Sequence, residues 1–214
     1  MGRIRKGANG GFSGKAGSVI GSNWRDIDYI RGLPKLSGKP ATQRQLEQRA
    51  KFQTAVNFLQ SAKSVLNLGF RTQKTGRATG YNIGLQKLLA EAITGVYPAF
   101  AIDYAKVTIS AGGLGSAIGP AMLSAQPATL TITWAPSVNG LNAFVDDQAK
   151  ILMYNEAKNQ FILNDTEVLR SEGMYETELP AVYSGDQIHA WIFFTDRNNA
   201  LTSNSIYVGS VMLS

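Results

Sequence analysis

The density of glycine in the first 41 residues constrains the fold of this chain more than any other feature of its sequence. Glycines stand at positions 7, 10, 11, 14, 17, 21, 32 and 38, which is too many for a stable helix. The same stretch carries eight large apolar side chains: Phe12, Val19, Ile20, Trp24, Ile27, Tyr29, Ile30 and Leu33. We therefore predict an extended or short-stranded arm, residues 1–41, that docks onto another protein surface. The alternative is a flexible basic tail.

Charge is distributed unevenly between the two halves of the chain. Residues 1–100 contain 16 Lys and Arg against 4 Asp and Glu, which is a net charge of +12. Residues 101–214 contain 5 basic against 11 acidic residues, which is a net charge of −6. A basic half of this density can bind nucleic acid or another anionic surface, and it can equally bind the acidic half of a second copy.

The composition excludes several classes of protein. A hydrophobic content of 44% is typical of a folded globular chain. The absence of cysteine excludes disulfides, thiolate metal sites and a cysteine nucleophile. The N-terminal residues do not fit a secretory signal, and no segment reaches the roughly 20 apolar residues of a membrane span. We therefore expect a cytoplasmic protein that contacts no membrane, with release in a particle as a further option.

Helical periodicity follows the arm. Thr42 and Gln45 fit a capping box, and apolar residues then recur every three to four positions until Gly69. A second helical pattern covers residues 79–94. The two patterns predict an antiparallel helical hairpin over residues 42–99.

Two groups of basic residues are candidates for contacts with phosphate. One group lies at the start of the chain and the other in the loop between the predicted helices: Arg3, Arg5, Lys6, Arg71, Lys74 and Arg77. With arm aromatics stacking on bases, these cations would bind a nucleic acid. A solvated, solubilising loop is the alternative for the second group.

The remaining residues, 100–214, alternate with the period of β-strands. Seven strands are predicted at residues 104–110, 129–134, 149–155, 160–163, 174–179, 188–195 and 205–213. This number of strands in about 110 residues predicts an antiparallel β-sandwich of immunoglobulin or fibronectin type III character. Trp134 and Trp191 are expected in its core, and the glycine-rich segment 112–120 is expected to be a long loop. The predicted fold class is therefore α+β.

No residue pattern indicates catalysis, a cofactor or a metal site. His189 is the one histidine, and its apolar neighbours indicate a core residue rather than a metal ligand or a general base. Glu172, Glu176 and Glu178 are spaced to alternate along one strand. A hydrolase can use paired carboxylates, but an exposed acidic stripe facing a basic partner explains these residues more simply. We therefore expect a protein that is not an enzyme and that takes no cofactor, no metal and no small-molecule substrate.

Four sequence segments carry a resemblance to a known family. They are GGFSGKAGSVIGSNWRDIDYIRGLPK, TQRQLEQRAKFQTAVNFLQ, residues 95–104 with their Gly-Val-Tyr-Pro and Ile-Asp-Tyr motifs, and SNSIYVGSV. Together they resemble a bacterial family of domains of unknown function that is common in Bacteroidota. The resemblance covers nearly the whole chain and implies a C-terminal sandwich, but it implies no activity.

The arm, the charge polarity and the missing chemistry together predict a self-assembling structural protein, such as a subunit of a filament, a tube or a phage-like particle. The arm would dock on a neighbouring subunit through eight residues: Phe12, Lys15, Val19, Ile20, Trp24, Tyr29, Ile30 and Arg31. The alternative is a nucleic-acid-binding protein that uses the basic N-terminal half. The expected partner is therefore a second copy of the chain or a nucleic acid.

Overall fold

Two compact units make up the chain in this computed structural model. The structure describes residues 2–3 (backbone only), 11–24, 27–35, 38–73 and 78–214. Unit 1 is Met1–Thr42 and unit 2 is Gln43–Ser214. Each unit is described separately below.

Unit 1 is built from short antiparallel strands, in agreement with the short-stranded form of the predicted arm. The described strands are β1 (Gly2–Arg3), β2 (Gly14–Ala16), β3 (Val19–Trp24) and β4 (Ile27–Gly32). They form one sheet in the order β1-β4-β3-β2. Phe12 lies directly over Gly21. This close approach is possible because glycine has no side chain to hold another group away from the strand backbone.

Helices open unit 2. They are α1 (Gln43–Leu59), a 3₁₀ turn (Gln60–Ala62), α2 (Lys63–Gly69), α3 (Gly80–Lys87) and a π-helical turn (Leu88–Ala92). The Thr79 side chain caps α3 by accepting a hydrogen bond from the Asn82 N–H at 3.2 Å. The start of α3 lies against the end of α2, where a side chain at Gly80 would collide with the Leu66 carbonyl. Among the described residues, no helix is long and apolar enough to cross a membrane.

A short β-hairpin replaces the predicted end of the second helix. Helical structure stops at Ala92, and β5 (Ile93–Val96) then pairs with β6 (Ala99–Ile102). Gly95 and Pro98 follow the predicted helix, and because glycine and proline stop a helix and open a turn equally well, the sequence pattern did not distinguish the hairpin.

Seven strands form the predicted β-sandwich. They are β7 (Ile118–Leu123), β8 (Thr129–Ala135), β9 (Gln148–Asn155), β10 (Gln160–Leu163), β11 (Met174–Glu178), β12 (Gln187–Thr195) and β13 (Ile206–Met212). One sheet has the order β10-β9-β12-β13 and the other β11-β8-β7, and all pairings are antiparallel. The fold class is therefore α+β, as predicted, with helices preceding antiparallel sheets.

The first of the predicted strands is wrong. Residues 104–110 hold a 3₁₀ turn (Tyr104–Lys106) and then an extended segment outside the sheets, while the first sandwich strand, β7, begins within the predicted loop 112–120. The alternation at 104–110 has another cause. Ile109 is buried in the core, and its N–H donates to the Ser205 hydroxyl at 3.0 Å rather than to a strand. Residues 104–110 therefore show the alternation of apolar and polar residues that is typical of a strand, although Ile109 pairs with a side chain and not with a neighbouring strand.

Strand β12 is buried on both faces. Ile188, Ala190, Ile192 and Phe194 face the interior of the sandwich. Trp191 and Phe193 face the other way and pack with the helices around Phe58, Leu59 and Leu66. Unit 2 therefore has three layers: the helices, the four-stranded sheet and the three-stranded sheet. The sequence analysis expected both Trp134 and Trp191 in the core of the sandwich. Trp134 lies there, but Trp191 lies in the second core, beneath the helices.

An aromatic cluster joins the helices to the four-stranded sheet. Its members are Phe58, Tyr104, Tyr154, Phe161, His189, Trp191 and Tyr207, with ring centroids 3.9–6.5 Å apart. His189 is buried, as expected, and its Nδ1 lies 2.9 Å from the Tyr207 hydroxyl. Its Nε2 lies 3.5 Å from a Glu156 carboxylate oxygen and has no hydrogen-bond partner among the described residues. Burial lowers the pKa of His189, and Glu156 opposes that shift only in part.

A buried ion pair closes one end of the sandwich. The Arg170 guanidinium donates to Asp147 Oδ2 at 2.9 Å, and both side chains are 1% exposed. The same guanidinium donates to the Gly115 carbonyl at 2.8 Å and lies 3.8 Å from the Phe194 ring centroid. The Trp134 indole N–H donates to the Arg170 carbonyl at 3.0 Å. Both buried charges therefore have a partner, and neither adds the large cost of an unpaired charge in the interior.

Replacing Asp147 with alanine should destabilise unit 2 far more than replacing its neighbour Asp146. Asp147→Ala strands a buried guanidinium and should cost about 3–5 kcal/mol in the free energy of unfolding. Asp146 pairs with Arg197 at 3.7 Å on the surface, so Asp146→Ala should cost less than about 1 kcal/mol. Urea denaturation of both variants measures the difference, and equal costs would contradict this account.

The stability of the protein should depend on pH through His189. Its pKa is lower in the folded than in the unfolded chain, so the unfolded chain binds the proton more readily. The stability that neutral His189 contributes to the folded state is fully present above about pH 6.5, the ordinary histidine pKa. It is lost as the pH falls below that value. The advantage of the wild type over His189→Gln should therefore shrink between pH 7.5 and 5. Denaturation series at both pH values test this, and an unchanged difference would refute it.

Candidate docking surface

The sheet of unit 1 presents two chemically different faces. Residues directly opposite on antiparallel strands share a face, and successive residues alternate between faces. Ile20 is opposite Arg31, Ser22 is opposite Tyr29, and Trp24 is opposite Ile27. Lys15 on β2 is opposite Ile20. We call this set the cationic face: Lys15, Ile20, Ser22, Trp24, Ile27, Tyr29 and Arg31.

The cationic face combines apolar area with positive charge. Trp24 is 52% exposed, Lys15 and Arg31 are exposed, and Ile20, Ile27 and Tyr29 are partly exposed. Aromatic and guanidinium groups are the side chains most enriched at the centres of protein interfaces. No acidic side chain lies on this face among the described residues of unit 1. The face is therefore suited to a partner that is partly apolar and negatively charged.

The opposite face carries a smaller apolar group. Phe12 covers Gly21, and Val19 and Ile30 lie on the same side by register. Asn23 donates to the Asp28 carboxylate at 2.8 Å at the far end of this face. A side chain larger than hydrogen at position 21 would displace the Phe12 ring, so glycine is required there.

Neither face of the sheet is covered well enough to form a core. Among the described residues 11–42, only Gly21 is buried. Sheets are stable when at least one face is packed against another layer, and small sheets without such packing are marginal. The sheet of unit 1 therefore forms no core of its own among its described residues.

The predicted docking residues divide between the two faces. Lys15, Ile20, Trp24, Tyr29 and Arg31 share the cationic face, whereas Phe12, Val19 and Ile30 lie on the other. The sequence analysis omitted Ile27 from the set. Ile27 lies opposite Trp24 in the pairing of β3 with β4, and alternation along β4 from Tyr29 and Arg31 was the signal that would have found it.

The predicted phosphate contacts lie mostly outside the described residues. Arg5, Lys6, Lys74 and Arg77 fall there, as does the side chain of Arg3. The remaining one, Arg71, donates from its guanidinium to the Asn199 carbonyl at 3.0 Å. Arg71 is thus part of a loop contact. In the described part of unit 1, Lys15 and Arg31 are the cations that share a sheet face with aromatic residues.

The three glutamates of the predicted acidic stripe do not all lie on one strand. Glu176 and Glu178 are exposed on the same face of β11. Glu172 lies before the strand in a 3₁₀ turn, where its carboxylate accepts a hydrogen bond from the Leu169 N–H at 2.9 Å. Among the described residues, no group of three or more His, Asp or Glu side chains is placed to hold a metal ion.

Comparison with known proteins places the chain in a family. Residues 11–209 match the model of a family of unknown function, DUF6266, which confirms the resemblance found in the sequence motifs. Among curated proteins, no sequence matches the chain.

Two solved structures are similar to the sandwich half. One is the fibronectin type III domain of the human collagen alpha-1(XX) chain, with 14% identity and a TM-score of 0.36, covering 48% of this chain and 87% of that one. The other is the corresponding domain of human contactin 1, with 9% identity and a TM-score of 0.34, covering 48% and 82%.

Proposed function

The chain belongs to the DUF6266 family, a family of unknown function, and we propose that it is a non-enzymatic structural protein whose copies assemble with one another. Unit 1 of one copy docks on a neighbouring copy. Repetition of this contact builds a filament, a tube or a phage-like particle, because a contact between two different surfaces continues from copy to copy. The proposal places this assembly in the cytoplasm.

The observation that carries this proposal is the missing core of unit 1. A four-stranded sheet with Trp24, Ile27, Tyr29 and Ile30 partly or largely exposed keeps a large apolar area in water. Burying such area is favourable by about 25 cal/mol per Å². Exposed apolar patches of this kind on folded proteins mark interaction sites. A second protein surface would remove this area from water and give the sheet its missing layer.

Charge supports a second copy as the partner. Unit 1, residues 1–42, contains 8 basic and 2 acidic residues, a net charge of +6, while residues 101–214 have a net charge of −6. Complementary charge steers association and fixes which surfaces meet. Each copy therefore carries both the basic surface and an acidic body that suits it.

A second candidate function is the binding of single-stranded nucleic acid. The observation that favours it is the alternation of Lys15 and Arg31 with Trp24 and Tyr29 on one sheet face, because aromatic rings on a sheet stack on bases while cations neutralise phosphates. This candidate requires no acidic surface on a partner.

Removing unit 1 should abolish assembly and leave unit 2 folded. A chain of residues 43–214 keeps both hydrophobic clusters of unit 2. We expect cooperative urea unfolding of the shortened chain, and discrete particles of single-chain size in electron microscopy and sedimentation. The full chain should form large species under the same conditions. Large species from the shortened chain would refute the proposal.

Reversing the two described cations of the cationic face should weaken assembly. We expect Lys15→Glu with Arg31→Glu to raise the concentration needed for assembly at least about tenfold, which corresponds to 1.4 kcal/mol. The matched control is Lys35→Glu with Lys39→Glu, which changes the net charge equally outside the strands of unit 1. Sedimentation across a concentration series measures both variants.

The same pair of variants separates the two candidate functions. If Lys15→Glu with Arg31→Glu assembles like the wild type but loses salt-sensitive binding to an oligonucleotide, nucleic-acid binding replaces assembly as the function. If it loses assembly and the wild type binds no oligonucleotide at low salt, the second candidate is removed.

A further inference from the structure

One end of the sandwich concentrates exposed apolar side chains. The loop between β8 and β9, residues 136–147, exposes Val138, Leu141 and Val145, and Leu141 is 86% exposed. Leu169 and Leu201, on the two other loops at the same end, are also exposed. Isolated exposed leucines are ordinary on protein surfaces, whereas a group on neighbouring loops is not. We call this group the apolar loop end.

The loop that presents Leu141 is held rigidly. The Asn139 side-chain oxygen accepts hydrogen bonds from the backbone N–H groups of Leu141, Asn142 and Ala143, each at 3.0 Å. The Asn139 amide donates to the Asn142 side chain at 2.8 Å. An asparagine that organises three successive N–H groups fixes the loop without burying its leucine. A fixed exposed side chain loses little conformational freedom when it is buried by a partner.

Direct contacts join the loops into one surface. The Gly115 N–H donates to the Asn142 carbonyl, and the Ser171 hydroxyl donates to the Val145 carbonyl at 3.1 Å. Arg197 on the loop between β12 and β13 pairs with Asp146 at 3.7 Å. A cleft of about 420 Å³ lies beside this surface, lined by residues that include Ile118, Val138 and Arg170. The loops at residues 164–173 and 196–205 are therefore both in contact with the loop at residues 136–147.

This end also holds most of the negative charge of the sandwich. Its three loops, residues 136–147, 164–173 and 196–205, contain 6 acidic and 2 basic residues, a net charge of −4. The whole of residues 101–214 carries −6, so two thirds of that excess lies here. Asp147 and Arg170 neutralise each other in the interior, so the net charge of −4 comes from the other charged residues of these loops.

The geometry points to the apolar loop end as the acceptor for the cationic face of a second copy. This inference rests on the proposed function, since it names the surface on which unit 1 docks. Each surface combines apolar side chains with charge, and the two charges are opposite: Lys15 and Arg31 on one side, and Asp146 with the other loop acids on the other. Because donor and acceptor are different surfaces, the contact can repeat from copy to copy, as a ring or as an open filament.

Cysteine cross-linking tests the contact directly because the natural chain contains no cysteine. One chain carries Leu141→Cys and a differently tagged chain carries Arg31→Cys, so that only contact between two chains joins the two tags. The control replaces Leu141→Cys with Val182→Cys. Val182 is 72% exposed and lies between β11 and β12, at the opposite end of the sandwich. A short bismaleimide should join Leu141→Cys to Arg31→Cys efficiently and the control pair weakly.

A second measurement tests the same surface without cysteine. Leu141→Lys should raise the concentration needed for assembly at least about tenfold, because it removes apolar area and repels the cationic face, and Val182→Lys should leave it unchanged. Both positions are exposed, so both variants should keep the unfolding transition of the wild type.

The outcomes separate this inference from the proposal beneath it. If the wild type assembles, removal of unit 1 prevents it, and the Leu141 variants behave like the Val182 controls, then the acceptor lies elsewhere and only this inference fails. If the wild type does not assemble at any concentration, the proposed function fails together with it. If one chain carrying both cysteines cross-links internally in dilute solution, unit 1 docks within its own chain and both are overturned.

Discussion

The structure of unit 2 depends on two neighbouring strands, β9 and β12, that are buried on both faces. Strand β12 alternates between two cores: Ile188, Ala190, Ile192 and Phe194 fill the sandwich, while Trp191 and Phe193 pack beneath the helices. A strand of this kind is hydrophobic at nearly every position, because neither side faces water. It holds the three-stranded sheet on one side and the helices on the other. Its neighbour β9 divides in the same way, with Ala149, Ile151 and Met153 in the sandwich and Leu152 and Tyr154 beneath the helices.

The two units differ in how well their residues are packed. Unit 2 satisfies its interior charges locally, as Asp147 and Arg170 illustrate, and it covers both faces of its larger sheet. Unit 1 buries only Gly21 among its described residues 11–42 and leaves both sheet faces partly in water. A chain that combines a well-packed unit with an under-packed one is suited to joining other chains, since the second unit gains most from a partner. The proposed assembly rests on this contrast.

Local patterns identified most elements of the fold. Helical spacing after Thr42 and strand alternation after residue 129 are properties of neighbouring residues, and the structure has helices and strands there. The two errors have one cause. At residues 104–110 the alternation comes from contacts with residues about 95 positions away, such as Ser205, and at residues 112–120 a strand begins in a glycine-rich sequence because β8 is available to pair with it. Local sequence does not contain either partner.

By itself, the sequence determined that the chain is α+β, that its glycine-rich start is unsuited to a stable helix, and that His189 lies in a core, because glycine content, spacing and apolar neighbours decide these points locally. Only the tertiary structure decided which arm residues share a face, that Trp191 belongs to the helix-covered core, and that Val138, Leu141 and Val145 meet other loops at one end of the sandwich. These facts depend on strand register and on which strands become neighbours. Both arise from pairing between distant segments, and no stretch of sequence encodes them alone.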